Sequence, residues 1–253
     1  MPVVLEIIEP NIALLQVNRP SVRNALNWEA MQAFADCVER AHALPDLRAL
    51  IVSGAGDAFI AGGDLKELHT YPSHGDGQSL SRRMVMALQR LEALPYPVIA
   101  AINGPARGGG VEIALACDLR VLSAEADLGL VQITLGLTPG WGAGQRLLRL
   151  VGYSRALDWL ATGKVLSASE ALTYGLANRV TPPVSALTGA LELARSISTY
   201  SPQAVTAIKR LLRASLLLPP EAAAAFEQAE FPPLWASEEH RQAVERFLNR
   251  KAE

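Results

Sequence analysis

Short apolar runs alternate with amphipathic stretches along the first half of the chain. The runs have the length of buried strands and are bounded by glycine, proline or asparagine. They lie at residues 3–17, as two strands broken by Pro10 and Asn11, and at residues 48–53, 98–102 and 119–122. The amphipathic stretches predict helices at residues 28–43 and 79–94, the first capped by Asn27. Alternating strands and helices predict an α/β fold with mostly parallel strand pairing.

Beyond Ser154 the pattern is almost entirely helical. The predicted helices lie at residues 155–161, 168–174, 185–200, 202–215 and 220–251, the last interrupted at Phe231-Pro232-Pro233. We place a boundary near Ser201, between a core at residues 1–200 and a helical region at residues 201–253. Residues 69–78 are polar and contain proline and glycine, which favours a loop.

Composition and charge argue against several classes of protein. The 253 residues carry a formal net charge of −2 and a pI near 6.1, without the basic excess typical of proteins that bind nucleic acids or membrane surfaces. No apolar run approaches the roughly 18 residues of a membrane-spanning helix. The four histidines are scattered, so no metal site is expected. Cys37 and Cys117 are expected to be buried thiols in a reducing cytosol, so we expect a cytoplasmic protein.

Two glycine-rich turns each follow an apolar run and each open a helix. The first is Ala61-Gly62-Gly63-Asp64 and the second is Arg107-Gly108-Gly109-Gly110. Without a Cβ, the backbone N–H groups of such turns can approach a ligand closely, and the first N–H groups of a helix lack partners within it. A carboxylate follows each turn, Asp64 directly and Glu112 three residues after Gly109. A single turn of this kind is an ordinary connection, but two together favour the binding of an anion or a developing oxyanion.

The residues around both turns resemble the signatures of the crotonase (enoyl-CoA hydratase/isomerase) family. Residues 59–68, FIAGGDLKEL, are similar to the family pattern Phe-x-Ala-Gly-x-Asp-Leu/Ile. Residues 100–118, AAINGPARGGGVEIALACD, are similar to its second signature, Asn-Gly-x-x-x-Gly-Gly-Gly-x-Glu-Leu-x-x-x-Cys-Asp. Residues 24–26, 136–147 and 166–176 also fit, so the resemblance covers nearly the whole chain in the right order.

This resemblance implies a crotonase-like spiral of β-β-α repeats and a helical C-terminal region that forms homotrimers, often paired as hexamers. It implies an acyl-CoA substrate, with no cofactor beyond the coenzyme A portion of that substrate. It also implies that the backbone amides of Gly63 and Gly109 donate to the thioester carbonyl oxygen. The positions that match the family's CoA-binding residues are Arg23, Ala25, Leu26, Ala61 and Lys66, together with Phe247 and Arg250 from a neighbouring subunit.

The chain departs from the family at two places that bear on the reaction. Hydratases of this family use two glutamates around one water; Glu112 matches the first, but Gln132 stands where the second falls. An amide side chain can donate and accept hydrogen bonds but cannot exchange a proton at neutral pH. The family's Gly-Ala-Gly near the catalytic water is Gly140-Trp141-Gly142 here, so the indole of Trp141 is expected to fill the water site or to wall the acyl pocket.

Four functions stay open at this point. A hydratase-like lyase, with Glu112 alone handling the water and the proton, is favoured by the frequency of hydratases in the family. A decarboxylase of a malonyl- or methylmalonyl-type CoA ester needs the oxyanion hole but neither a water nor a second carboxylate, and family decarboxylases also have a tryptophan near this turn. The others are a double-bond isomerase, in which Glu112 moves one proton, and a non-catalytic CoA-binding scaffold.

Overall fold

The apolar runs form the strands of one twisted sheet. The computed structural model describes residues 1–249, and its main sheet has six strands. In their spatial order these are β1 (Val3–Glu9), β2 (Ile12–Val17), β3 (Ala49–Gly54), β4 (Val98–Ile102), β6 (Leu119–Ser123) and β9 (Arg179–Thr181). Only β1 and β2 pair in antiparallel fashion, and every other neighbouring pair of this sheet is parallel. The expected α/β fold with mostly parallel pairing is therefore confirmed.

A second, smaller sheet lies beside the first. It consists of β5 (Ala106–Arg107), β7 (Asp127–Gly129) and β8 (Val165–Ser167), with β5 parallel and β8 antiparallel to the central β7. Strands of two or three residues are too short to show an alternation of apolar and polar positions, which is why the sequence pattern does not predict them or β9.

Helices cover both faces of the main sheet. They are α1 (Trp28–Ala43), α2 (Leu65–Leu68), α3 (His74–Glu92), α4 (Gly109–Ala116), α5 (Ala143–Val151), α6 (Tyr153–Thr162), α7 (Ala168–Thr173), α8 (Ala186–Ser198), α9 (Pro202–Leu217), α10 (Pro220–Trp235) and α11 (Glu238–Asn249). Because successive strand residues point to opposite faces, Leu50 and Val52 of β3 pack in the larger core with α1, α3 and α4. Ile51 packs in the smaller core with α8.

Two helix boundaries differ from the predictions. Helix α3 begins at His74, so the predicted loop at 69–78 is wrong in its second half. The hydroxyl of Ser73 accepts from the Asp76 amide, and the Asp76 carboxylate accepts from the Ser73 amide, each at 3.1 Å. This capping box starts the helix despite the glycines that follow it. The prediction of the Asn27 cap of α1 is confirmed, since its side chain accepts from the Ala30 amide.

The prolines of the C-terminal region do not interrupt its helix. Helix α10 continues through Pro232 and Pro233 to Trp235, so the predicted break is wrong. Contacts with α9 hold it in place: Arg210 lies 2.8 Å from the carboxylate of Glu230 and 5.7 Å from the ring centroid of Phe226. Tertiary packing of this kind can override the local cost of a proline.

The C-terminal helices differ from the core in what they expose. Within residues 1–249, α10 and α11 contain no buried residue, and several large apolar side chains are exposed on the region from α9 onward: Ile208, Leu212, Leu216, Leu217, Phe231, Trp235, Phe247 and Leu248. The division of the chain at residue 200 stays a prediction. In the described part of the chain, no helix is both long and apolar enough to cross a membrane, and no cluster of three or more potential metal ligands is found.

Candidate active site

The first glycine-rich turn is held by the segment that precedes α1. Leu26 donates its amide to the Gly62 carbonyl at 2.7 Å and accepts from the Asp64 amide at 2.9 Å, which pairs Leu26 with Gly63 as an isolated parallel bridge. Gly62 has φ of +93°, and a Cβ there would lie 3.1 Å from the amide nitrogen of Gly109. A side chain at Gly62 is therefore disfavoured twice, and the two glycine-rich turns are in direct contact.

The second turn is packed just as closely. Gly108 has φ of +49°, which favours glycine. A Cβ on Gly109 would lie 2.1 Å from a ring carbon of Trp141, and one on Gly110 would lie 1.8 Å from the carbonyl oxygen of Ile60. These glycines open α4, all eight residues of which are buried. The turn is thus a rigid platform at the N-terminus of a buried helix.

The amides of Gly63 and Gly109 are available to a ligand. Across residues 1–249, neither amide donates a hydrogen bond to another protein group. The Gly109 amide also lies at the positive end of the α4 dipole, which favours negative charge there. Both residues line one cavity of about 560 Å³, a size typical of small-molecule sites.

The cavity has mostly apolar walls with few ionisable groups. Its lining comprises Ala61, Gly62, Gly63, Leu65, Leu68, Gly77, Leu80, Ser81, Arg107, Gly108, Gly109, Glu112, Val131, Gln132, Leu135, Leu137, Thr138, Pro139, Gly140 and Trp141. Arg107 and Glu112 are the two residues of this lining whose side chains can carry a charge. Arg107 forms a bidentate ion pair with Asp127, at 2.5 and 3.0 Å. Within residues 1–249, Glu112 is therefore the one ionisable side chain of the lining that has no partner of opposite charge.

The Glu112 carboxylate accepts four hydrogen bonds. Its Oε1 accepts from Gln132 Nε2 at 3.0 Å and from the Gly140 amide at 3.2 Å. Its Oε2 accepts from the Trp141 amide at 2.7 Å and from the Ala143 amide at 3.0 Å. A carboxylate offers about four lone-pair sites, so these donors occupy them all.

Burial and hydrogen bonding act on the ionisation of Glu112 in opposite directions. The side chain is 2% exposed, and this burial raises the pKa of Glu112, although the four hydrogen bonds lower it in part. Since all four donors are N–H groups that point at the carboxylate oxygens, these contacts favour the ionised form. Burial and hydrogen bonding thus shift the pKa of Glu112 in opposite directions, and perturbed pKa values are common among groups that exchange protons.

Gln132 lies beside Glu112, as the sequence comparison with the family implies. It belongs to a 3-10 turn at Val131–Leu135. Its Nε2 donates to Glu112, whereas its Oε1 is buried without a hydrogen-bond partner among the described residues. A buried acceptor without a partner is costly and rare. Gln132 therefore offers the site a buried acceptor that has no partner among the described residues.

Trp141 is a wall of the cavity and a support of the second turn. The indole is 5% exposed and packs directly on Gly109. The backbone carbonyl of Trp141 accepts from Arg146 Nη1 at 2.8 Å. The backbone carbonyl of Gly140 accepts from Ser81 Oγ at 2.6 Å. The local sequence pattern does not predict that Ser81 contacts Gly140 or that Ala143 contacts Glu112. Arg146 lies in a segment that resembles the family, but the resemblance implies no role for it.

The first turn's carboxylate has a different environment. Asp64 accepts from Arg19 Nη1 at 3.1 Å, and the two side chains are 11% and 21% exposed. Asp64 does not line the cavity. It precedes α2 and forms a structural ion pair, so only one of the two predicted carboxylates belongs to the site.

The residues that match the family's CoA-binding positions are spread around the site. Ala61 lines the cavity, as do Gly140 and Trp141 of the turn that departs from the family, whereas Arg23, Ala25, Leu26 and Lys66 do not. Leu26 is completely buried and supports Gly63 through its backbone, while Arg23 and Lys66 are exposed. Phe247 is exposed on α11, and Arg250 lies outside the described residues. Their role in binding CoA stays a prediction.

Comparison with known proteins agrees with this geometry. A sequence model of the enoyl-CoA hydratase/isomerase family matches residues 8–253, and the chain belongs to that family. The short-chain-enoyl-CoA hydratase of Clostridium acetobutylicum is 35% identical over 244 residues, which are 96% of this chain and 93% of that protein. The 2,3-dehydroadipyl-CoA hydratase of Escherichia coli is 35% identical over 243 residues, 96% of this chain and 94% of that protein.

Solved structures lead to the same family. The crystal structure of an enoyl-CoA hydratase from Bacillus anthracis superposes with a TM-score of 0.94 at 30% identity and covers 99% of this chain and 97% of that one. An enoyl-CoA hydratase from Mycobacterium smegmatis has a TM-score of 0.93 at 28% identity, with 99% and 97% covered. The expected crotonase fold with its C-terminal helical region is therefore confirmed.

Proposed function

We propose that the protein binds an acyl-CoA thioester in the cavity and stabilises its enolate through the backbone amides of Gly63 and Gly109. The observation that carries this proposal is that two otherwise unbonded amides, from two glycine-rich turns in contact, line the same cavity as a buried carboxylate. Hydrogen bonds from preorganised amides stabilise the charge that develops on the thioester oxygen, and removing one such donor typically costs about 10²–10³ in rate.

The reaction we propose first is the hydration of a 2-enoyl-CoA. Water adds to Cβ, the electron pair of the double bond moves into the thioester enolate, and a proton is delivered to Cα. Glu112 takes the proton from the attacking water and returns it to Cα, which balances the reaction with a single acid–base group. The names of its relatives, among them a crotonyl-CoA hydratase of Syntrophomonas wolfei at 33% identity over 96% of this chain and 94% of that protein, support this choice.

For this chemistry Glu112 must free one lone pair. Gln132 is the only side chain among its four donors, so rotation of that amide is the simplest way to release Oε1. The unpartnered Gln132 Oε1 can then accept from the water that Glu112 deprotonates. Gln132 thus positions the water but does not exchange a proton with it.

Decarboxylation of a malonyl- or methylmalonyl-type CoA ester is the second candidate. Loss of CO₂ breaks the bond between Cα and the free carboxylate and leaves a thioester enolate in the same oxyanion hole. A proton from solvent then adds to Cα, so the reaction needs neither an attacking water nor a free lone pair on Glu112. The observation that favours it is that the donors around Glu112 occupy all its lone pairs while Gln132 replaces the second glutamate.

The proposal extends to the rest of the molecule. Arg23, Ala25, Leu26, Ala61 and Lys66 contribute to CoA binding, and Phe247 and Arg250 reach the CoA of a neighbouring copy. The exposed apolar side chains of the C-terminal helices support assembly into a homotrimer or hexamer. We further propose a cytoplasmic enzyme without nucleic-acid or membrane partners and without a cofactor beyond the coenzyme A of its substrate.

Two assays separate the candidate reactions. Hydration of crotonyl-CoA is followed by the loss of absorbance of the conjugated thioester, and decarboxylation by the release of CO₂ from methylmalonyl-CoA. We expect turnover of crotonyl-CoA; its absence at high enzyme concentration, with release of CO₂, would overturn hydration in favour of decarboxylation. Absence of both activities would contradict the enzymatic proposal.

Restoring the second glutamate gives an additional test. Gln132→Glu places a carboxylate where Nε2 now lies 3.0 Å from Glu112, so the pair shares a proton. We expect hydration to rise by about 10²-fold, the lower end for a general acid–base group, and CO₂ release not to rise. The control is Gln78→Glu, which makes the same change at an exposed position of α3. Equal hydration by Gln132→Glu and the wild type would contradict the assignment of this position.

A further inference from the structure

Ser81 lies on α3, away from both glycine-rich turns in sequence, yet it reaches the loop that supports Glu112. Its Oγ donates to the Gly140 carbonyl at 2.6 Å. The N–H of that same peptide group, on Trp141, donates to Glu112 Oε2 at 2.7 Å. A peptide group that accepts at its carbonyl becomes a stronger donor at its N–H, because the two hydrogen bonds polarise one another.

This contact is not the default behaviour of a serine within a helix. A serine there commonly donates back to a carbonyl of its own helix, four residues earlier. Ser81 instead crosses to the loop between the 3-10 turn and α5, and both Ser81 and Gly140 line the cavity. The hydroxyl therefore joins the cavity wall formed by α3 to the loop that holds the carboxylate.

The next carbonyl of the same loop is held separately. Trp141 O accepts from Arg146 Nη1 at 2.8 Å, and Arg146 forms a bidentate pair with Glu92 at 3.0 and 2.9 Å. Arg146 is 4% exposed and Glu92 is 20% exposed, so loss of Arg146 would leave a partly buried carboxylate unpaired and destabilise the fold. The Ser81 contact of this loop can be removed without breaking that ion pair.

We propose that Ser81 is a positioning residue for Glu112, acting through the peptide group between Gly140 and Trp141. By polarising that peptide group it strengthens the hydrogen bond that favours ionised Glu112 and fixes the direction of Oε2. The effect on rate rests on the proposed role of Glu112 in proton transfer, whereas the effect on ionisation does not. No contact between Ser81 and the reacting atoms is required.

The other ionisable groups on the elements packed against α4 also act on the ionisation of Glu112. Helix α3 contributes Glu92 and α5 contributes Arg146, which are paired with each other. Strand β5 contributes Arg107, paired with Asp127 of β7. Because these pairs do not involve Ser81, its replacement changes the hydrogen bonding of Glu112 and leaves the neighbouring charges in place.

The test compares three variants of the full-length protein. Ser81→Ala removes the hydroxyl, Ser81→Thr restores one at the same position, and Ser79→Ala removes an exposed hydroxyl from the same helix as a control. The readouts are a ¹³C NMR titration of the Glu112 carboxyl, assigned with Glu112→Gln, and the pH dependence of kcat for crotonyl-CoA.

In Ser81→Ala we expect the titration of Glu112 and the acid limb of kcat to move to higher pH. We also expect kcat to fall about 5-fold, as for the loss of one neutral hydrogen bond, with KM little changed. Ser81→Thr should restore both properties, and Ser79→Ala should match the wild type. A Glu112 titration that is the same in Ser81→Ala and the wild type would overturn the proposal.

The titration and the assays distinguish failure of the Ser81 proposal from failure of the proposed function. If the wild type neither hydrates crotonyl-CoA nor decarboxylates methylmalonyl-CoA, the proposed function fails, but the titration still decides whether Ser81 acts on Glu112. If the wild type is active and Ser81→Ala lowers kcat without moving the titration, the role of Ser81 is structural and the positioning proposal is wrong.

Discussion

The two glycine-rich turns have similar sequences, but the carboxylates that follow them have different environments. Both follow an apolar run and precede an acidic residue, yet α2 has four residues and none is buried, whereas all eight residues of α4 are buried. Asp64 is paired with Arg19. Glu112 has four hydrogen-bond donors and, within residues 1–249, no ion pair. Burial without a counter-ion, rather than position after a glycine turn, distinguishes the carboxylate suited to proton transfer.

Replacing each carboxylate by its amide tests this distinction directly. Glu112→Gln keeps the size of the side chain but cannot take a proton, so we expect the rate of hydration to fall by about 10²–10⁴-fold. Asp64→Asn should retain most of the activity, because Asp64 does not line the cavity. The measurement is kcat/KM with crotonyl-CoA, and equal losses in the two variants would contradict the comparison.

The pH dependence gives a second difference between them. Burial raises the pKa of Glu112, so its ionised form, the base, disappears at a higher pH than for an ordinary glutamate as the solution is acidified. We therefore expect the acid limb of kcat/KM to lie above the usual range of a glutamate. This limb should persist in Asp64→Asn and be absent from the residual activity of Glu112→Gln. A limb that persists unchanged in Glu112→Gln would assign it to another group.

Replacing Gly109 or Gly63 by alanine tests whether the position of each backbone amide matters for the rate. In Gly109→Ala the Cβ would lie 2.1 Å from the Trp141 ring, so the turn must move; we expect a loss of about 10²-fold in rate and about 1–3 kcal/mol in stability. In Gly63→Ala the Cβ meets only the flexible end of Leu68, at 2.7 Å, and we expect smaller losses of both. Kinetics and denaturant unfolding provide the measurements.

A double variant removes the cause of that clash. Gly109→Ala with Trp141→Ala should be more stable than the sum of the two single changes predicts, because the indole no longer opposes the new Cβ. Additive effects in the cycle would mean that the packing of Trp141 on Gly109 does not explain why glycine is needed there.

The sequence predicts the parts of this molecule that are encoded locally. The strands that lead into both turns are apolar runs bounded by glycine, and the family signatures identify Gly63, Gly109 and Glu112. The capping box of Ser73 and Asp76 is local too, but the adjacent glycines favour the prediction of a loop there.

What the sequence does not predict depends on distant segments. The donors Gly140, Trp141 and Ala143 meet Glu112 from about 30 residues away along the chain, and no periodicity encodes a bond between backbone amides and a side chain on another element. Ser81 reaches Gly140 across 59 positions. Trp141 is predicted either to fill the water site or to wall the acyl pocket, and that choice stays a prediction. Its packing on Gly109 is a contact that no local pattern predicts.

The ion pair at the first turn should contribute little. Arg19 is 21% exposed and Asp64 11%, so water reaches the pair only in part. Asparagine at position 64 keeps an oxygen that can accept from Arg19, which limits the expected loss to about 1 kcal/mol, the net worth of one hydrogen bond. We expect Asp64→Asn to lower the free energy of unfolding by no more than that, measured from the denaturant midpoint at low and high salt. A loss of several kcal/mol, insensitive to salt, would indicate that Asp64 has a structural role beyond this pair.

A crystal structure of the protein with a bound, unreactive acyl-CoA addresses the oxyanion hole most directly. We predict that the thioester oxygen lies about 2.7–3.1 Å from the amide nitrogens of both Gly63 and Gly109, with Glu112 facing the acyl carbons. A thioester oxygen that contacts only one of these amides, or that binds elsewhere in the cavity, would contradict the proposed chemistry.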